Sequence, residues 1–170
     1  MVGCALSGVV LAGTYTLLDH GLRAYEVGAA RVESQQTARA ALERLAREIR
    51  NAGRGPDRDL AALAVAELSR LVLVSDLDAD RDSDANGEQI TWQLVGSVLR
   101  RSAGGGAQPV ANGVRALTVR YLDRAGQATS DPAAVRMLEV TVLTGPDGAE
   151  SSLALGVGSR FSTRVRLRNR

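Results

Sequence analysis

From Met1 to Asn51 the chain contains no proline, and this uninterrupted run constrains the fold more than any other feature. It predicts one very long helix built in two different halves. The first half, MVGCALSGVVLAGTYTLL (Met1 to Leu18), carries no charge and consists largely of Leu, Val, Ala, Gly and hydroxyl residues. The second, from Asp19 on, is amphipathic. Ala38, Ala41, Leu42, Leu45, Ala46, Ile49 and Ala52 recur at three- and four-residue steps and so share one helical stripe. Arg39, Glu43, Arg44, Arg47, Glu48 and Arg50 are expected on the remaining faces. Glu43 precedes Arg47 by four residues, a spacing worth about 0.3 kcal/mol on a helix surface. The helix should stop in Asn51-Ala-Gly-Arg-Gly-Pro56, where Gly53 suits a left-handed C-cap and Pro56 cannot extend the helix.

Length makes this helix informative. At about 1.5 Å per residue, roughly fifty residues span about 75 Å, whereas a head of about a hundred residues has a radius of gyration near 13 Å. Such a head covers only part of the helix. The amphipathic half can lie on it, with Leu42, Leu45 and Ile49 as the fastening residues. The apolar half needs another environment: a bilayer, a bundle of like helices, or both in turn. Its candidate membrane and helix-packing residues are Val2, Leu6, Val9, Val10, Leu11, Leu17 and Leu18. Eighteen residues make about 27 Å of helix, at the lower edge of a bilayer span. Gly3, Ser7, Gly8, Ala12 and Gly13 include small residues four apart, which permit close helix–helix approach. Two rivals remain: a cleaved signal peptide, which wants a basic start that is absent here, and a buried core helix of a soluble protein. The expected division is a helix over 1–53, with 1–18 as its membrane or filament-core segment, and a globular β-rich head over 54–170.

All 21 basic residues are arginine, and the net charge is only +2. A GC-rich genome explains the arginine bias, and the excess charge is too small and too dispersed to point to nucleic acid. With aromatic residues at 3% of the chain, the core must be aliphatic, anchored by Trp92, Tyr121 and Phe161. The single cysteine, Cys4, forbids an internal disulfide. The single histidine, His20, sits beside Asp19 at the boundary of the two helix halves, where interface polarity accounts for it.

The head alternates in the manner of strands. Asp57 to Leu68 is ambiguous between a short helix and a loop on the long helix, and Ser69 to Ser75 is the first expected strand. Glu88 to Val95 places Ile90, Trp92 and Leu94 on one face, and Gly96-Ser97 is a tight turn into Val98 to Ser102. The triple glycine at 104 to 106 marks a flexible tip. Val110 to Leu122 ends in a strand, Asp123 to Gly126 is a turn, Ala134 to Leu143 is a strand closed by Gly145 to Gly148, and Phe161 to Leu167 is the last strand. Five or six strands with short turns imply an antiparallel sheet, half buried and half solvated, with the amphipathic helix as its cover. The fold class is therefore α+β.

One constellation suits an ion. Asp76, Asp78, Asp80, Asp82 and Asp84 occupy alternate positions, and carboxylates on a curling loop can converge on calcium. An EF-hand is not formed: counted from Asp76, the sixth position is Arg81 and the twelfth is Gly87, with a strand rather than a helix following. A solvated acidic hairpin tip is the competing account. The arginines from Arg160 to Arg170 suit either a phosphate or acidic lipid surface, or the wet face of the last strand, where charge discourages edge pairing. Catalysis has no support, because no nucleophile–histidine–acid set exists, and the triple glycine lacks the strand–loop–helix setting of a nucleotide site.

The layout resembles a type IV pilin-like subunit. The nearest likeness is to a minor pilin of the PilW type or the related J-type minor pseudopilin of type II secretion. The resemblance is carried by QQTARAALERLAREIRNAGRGP (Gln35 to Pro56), SDLDADRDSDANGEQITWQL (Ser75 to Leu94), LRRSAGGGAQPVANGVRALTVRYLD (Leu99 to Asp123) and FSTRVRLRN (Phe161 to Asn169). The family's basic leader, glycine cleavage site, following phenylalanine and nearby glutamate have no match here, so Met1 is expected to fall inside the family's hydrophobic helix. The resemblance implies a structural subunit held in the bacterial inner membrane with a periplasmic head. It would enter a pilus or pseudopilus by helix packing with other major and minor pilins or pseudopilins, with no small-molecule substrate and no chemical step. The alternative from another class is a membrane-anchored periplasmic module whose head binds calcium or DNA. A secreted enzyme is the third reading, and the residue inventory disfavours it.

Overall fold

A computed structural model of the chain describes residues 2–56, 61–67, 69–80, 87–145 and 158–169. The side chains of Val2, Cys4, Ala5, Leu6, Val65 and Ala66 lie outside what is described. The chain forms two compact units, Met1–Glu33 and Ser34–Arg170, and one helix, α1 (Val2–Asn51), contributes to both.

In the first unit the helix presents apolar side chains to solvent. Val9 is 72% and Leu17 74% exposed, and Val10, Leu11, Tyr15, Leu18, Leu22, Tyr25 and Val27 are exposed as well. Its hydroxyls bond back to the helix: Ser7 to the Gly3 carbonyl at 3.0 Å, Thr14 to Leu11 at 2.9 Å and Thr16 to Gly13 at 2.8 Å. Those donors are therefore satisfied internally and leave the surface more apolar than the sequence suggests. Among the described residues, no helix is long and apolar enough to cross a membrane. The segment expected over 1–18 includes Met1 and side chains that lie outside what is described, and Asp19, His20 and Arg23 follow it.

In the second unit, the stripe predicted from spacing is buried. Ala38, Ala41, Leu42, Leu45, Ala46, Ile49 and Ala52 share one core with Leu63, Leu71, Leu73, Trp92, Leu99, Val119, Leu138, Val140, Val142 and Val165. The strands form two antiparallel sheets rather than the single one expected. The first comprises β1 (Leu63–Ala66), β2 (Arg70–Val74), β3 (Gln89–Val95), β4 (Val98–Ser102) and β5 (Gln108–Ala111) in sequence order. The second comprises β6 (Val114–Leu122), β7 (Met137–Thr144) and β8 (Ser159–Arg166). Strand β1 falls in a stretch that spacing leaves open between helix and loop; its alanines are poor strand formers, and pairing with β2 decides its conformation. The expected strand from Val110 divides at Asn112-Gly113. Gly113 has φ +69°, and the chain passes there from the first sheet to the second. The closing turn at Gly145 to Gly148 lies largely outside the described residues.

Helix α1 ends in a junction that ties three parts of the chain together. Gly53 adopts φ +72°, and its N–H donates to the Val74 carbonyl at 2.7 Å. The Asn169 amide donates to the carbonyls of Asn51 and Ala52 at 3.3 and 3.1 Å, satisfying carbonyls that the helix leaves without partners. A Cβ on Gly53 would lie 3.0 Å from the Ala62 Cβ and 3.3 Å from the Asn169 carbonyl oxygen. Gly53→Ala is therefore expected to cost about 1–2 kcal/mol, from the left-handed backbone and the close approach together. Chemical denaturation checks it, and a loss below about 0.3 kcal/mol would show that the junction relaxes freely.

Candidate functional site

Three arrangements in the second unit carry charge in defined geometry. The first joins helix to sheet. The register of β3 with β4 sets Trp92 directly opposite Arg101. Glu48 of α1 accepts the Trp92 indole N–H on Oε2 at 2.6 Å and the Arg101 Nε–H on Oε1 at 2.7 Å. Arg44, one turn earlier, approaches the same Oε1 at 3.4 Å. The Glu48 side chain is 14% exposed and that of Arg101 18%, so this ion pair is largely shielded. Glu48 was expected on a solvent face. It instead closes one edge of the core, where the fully buried Trp92 needs an acceptor. The carboxylate is held between the donors of Trp92 and Arg101 and so ties the helix to the first sheet.

The second arrangement is the acidic loop after β2. Asp76 is buried, and its Oδ1 accepts the Ala79 N–H at 2.7 Å, which curls the chain so that Ala79 adopts φ +67°. Buried Glu88 accepts the N–H of Leu77 at 2.7 Å, drawing the loop onto the start of β3. Asp76, Asp78 and Asp80 place carboxylate oxygens within 4.8 Å of one another. Three carboxylates at that spacing can share a divalent cation. Asp82 and Asp84 lie outside the described residues.

The largest single influence on the Asp78 carboxyl is the Asp80 backbone N–H, which lowers its pKa. Desolvation and the charges of Asp80 and Glu88 outweigh it, and the net pKa lies above the ordinary 3.8. A proton held more tightly in the folded than in the unfolded chain stabilises the fold fully below 3.8. That contribution is lost as pH rises through the raised folded value. The difference in unfolding free energy between the native chain and Asp78→Asn should therefore decline as pH rises just above 3.8, then level off. Urea titrations at successive pH values check this, and a difference that grows with pH would contradict it.

The third arrangement is a groove of about 670 Å³ between α1 and β8. Arg39, Leu42, Glu43, Ala46, Arg47 and Arg50 line one wall, and Arg160, Phe161, Ser162 and Thr163 the other. The Arg39 guanidinium lies over the Phe161 ring, 5.2 Å from its centroid. Farther along β8, Arg164 pairs with Glu139 across the strands at 3.2 Å, and Arg120 of β6 reaches the same carboxylate at 3.0 Å. On the second sheet, burial and, to a lesser degree, the Glu67 charge raise the Tyr121 phenol pKa, and its hydroxyl donates to the Glu67 carbonyl at 2.8 Å.

The remaining candidates separate by unit. Leu42, Leu45 and Ile49 lie in the shared core, whereas Val9, Val10, Leu11, Leu17 and Leu18 are exposed on the first unit. The side chains of Val2 and Leu6 lie outside the described residues.

No family model matches the chain, and no curated protein matches it. Among solved structures, it is similar to a type IV-like pilin from Thermus thermophilus. The likeness has a TM-score of 0.51 and 16% identity, and covers 79% of this chain and 97% of that one. At that identity the likeness speaks for architecture alone. A long N-terminal helix packed on antiparallel sheets matches the fold of a type IV-like pilin.

Proposed function

We propose that the chain is a structural subunit of a type IV pilus-like filament or a secretion pseudopilus, of the minor-pilin kind, that assembles by packing its N-terminal helix among those of other pilins. The observation that carries this reading is the run of exposed apolar side chains on the first unit, from Val9 to Val32. A soluble chain seldom leaves so many large apolar groups in water without a partner surface. The hydroxyls that would make the helix polar are already bonded to its own carbonyls. Small residues at Gly8, Ala12 and Gly13 leave room for a neighbouring backbone. The fold, shared with a type IV-like pilin, agrees with the reading.

The test is incorporation into filaments sheared from the native cell. The chain should co-purify with them, and Leu11→Arg/Leu17→Arg should abolish incorporation while the emission of Trp92, the only tryptophan, stays native. Undiminished incorporation of the double variant would overturn the reading.

A second reading, a head that binds a ligand, rests on the convergence of Asp76, Asp78 and Asp80. Calcium held there would raise the unfolding midpoint in a concentration-dependent manner, by about 2.7 kcal/mol of stabilisation at a hundred times the dissociation constant. Asp78→Ala would abolish the rise. An unchanged midpoint at millimolar calcium removes this reading.

A further inference from the structure

The groove between α1 and β8 brings four arginines, Arg39, Arg47, Arg50 and Arg160, to one surface against a single glutamate, Glu43. Among the described residues, none of the four makes an ion pair, and Arg39 alone has a charge-related contact, with the Phe161 ring. The contrast with Arg101, Arg120 and Arg164, each matched to a glutamate, is clear. Like charges gathered around a concave, partly apolar surface favour an acidic occupant, since neutralising them there relieves mutual repulsion.

The chain carries such a group on its other flank. Glu48, Asn51 and Ala52 line a small cavity of about 150 Å³ with Leu77 and Gly87, which places the acidic loop on that side of α1. At about 100° per residue, Glu48, Asn51 and Ala52 centre on one edge of the buried stripe, and Arg39, Glu43, Arg47 and Arg50 on the other. Within one copy the acidic loop and the arginine groove therefore face apart.

We propose that the arginine groove docks the acidic loop, through Asp78 and Asp80, of a second copy of the chain. Such a contact is heterologous: each copy offers one groove and one loop, and the pairing repeats from copy to copy. The Asp76, Asp78 and Asp80 carboxylates place oxygens within 4.8 Å of one another in the free chain, and guanidinium groups would offset that crowding at Asp78 and Asp80. The proposal rests on the filament reading above and assigns to the head the side-to-side contact that helix packing does not supply.

The experiment uses the full chain in mild detergent, with self-association followed by sedimentation velocity at about 50 mM and about 500 mM salt. Association should weaken at the higher salt. Arg47→Glu/Arg50→Glu and, separately, Asp78→Arg/Asp80→Arg should each weaken it at least about tenfold at low salt. Mixing the two variants should restore it, because each then meets a partner of opposite charge at both contacts. Arg160→Glu, on the opposite wall of the groove, provides a second probe should the helix substitutions perturb folding.

Association that ignores all three variants, or reversed pairs that fail to rescue one another, overturns the groove–loop contact. Weakening by the groove variants alone overturns it in favour of a different acidic occupant. The filament reading is separated by Leu11→Arg/Leu17→Arg: if that variant still blocks incorporation while the charge reversals do nothing, only the groove contact is lost.

Discussion

Glu48→Ala is expected to lower the unfolding free energy by about 3 kcal/mol. The carboxylate receives two short hydrogen bonds, from Trp92 at 2.6 Å and Arg101 at 2.7 Å. Truncation leaves the indole N–H without its acceptor inside the core and the Arg101 guanidinium without its counterion in a largely shielded position. Had Glu48 been the exposed residue that its sequence neighbourhood suggests, the loss would be well under 1 kcal/mol. Two further variants separate the contributions. Glu48→Gln keeps an oxygen for the indole but surrenders the charge, and should lose less than the alanine. Arg101→Met in the Glu48→Ala background should recover part of the loss by removing the orphaned cation. Urea unfolding followed by Trp92 fluorescence measures all three. A deficit below about 0.5 kcal/mol for Glu48→Ala would mean that the pair contributes no more than surface charge does.

This residue also shows where sequence reasoning stops. Spacing alone placed the stripe from Ala38 to Ala52 on one face, because helix periodicity is local and apolar side chains have only one side to go. Glu48 was assigned outward by the same pattern, which counts a carboxylate as solvent-seeking. Half of the network was within reach: the two-residue turn at Gly96-Ser97 fixes the register of β3 on β4 and so sets Trp92 opposite Arg101. A lone tryptophan on an inward face beside an arginine calls for an acid. Which acid supplies it depends on how the helix rotates over the sheet, and that is settled by packing between residues far apart in the chain.

Strand recognition divides along the same line. The stretches that became β3, β4, β7 and β8 alternate clearly, and their turns carry glycine at left-handed positions such as Gly96 and Gly126. Strand β1 escapes because Ala-rich sequence has little preference of its own, and the passage between sheets at Gly113 looks locally like any other turn. The acidic loop was legible as composition, but the role of Glu88 was not. A carboxylate one position away from a metal-ligand pattern proves to hold the loop by accepting backbone N–H groups.

Leu45→Ala should cost about 3 kcal/mol, whereas Leu17→Ala should change stability by less than about 0.5 kcal/mol, although both are leucines on the same helix. Leu45 is 1% exposed in a core that also contains Trp92, Leu71 and Leu138, and its removal leaves a cavity that the rigid sheet cannot fill. Leu17 is 74% exposed, so its truncation takes away surface that already faces water. Thermal or urea unfolding of the two variants distinguishes them, and comparable losses would mean that Leu17 packs within the monomer. The pair also decides how the two units should be understood. If the exposed apolar side chains leave the stability of the single chain untouched, their free energy is available only to contacts with another molecule. At about 25 cal/mol per Å² of apolar surface buried, a helix carrying this many large apolar groups has a substantial reserve for such contacts. On the proposed filament role, Leu17→Ala should then weaken filament incorporation while leaving unfolding unchanged, and Leu45→Ala should act in the reverse order, on the fold first and on assembly only through it.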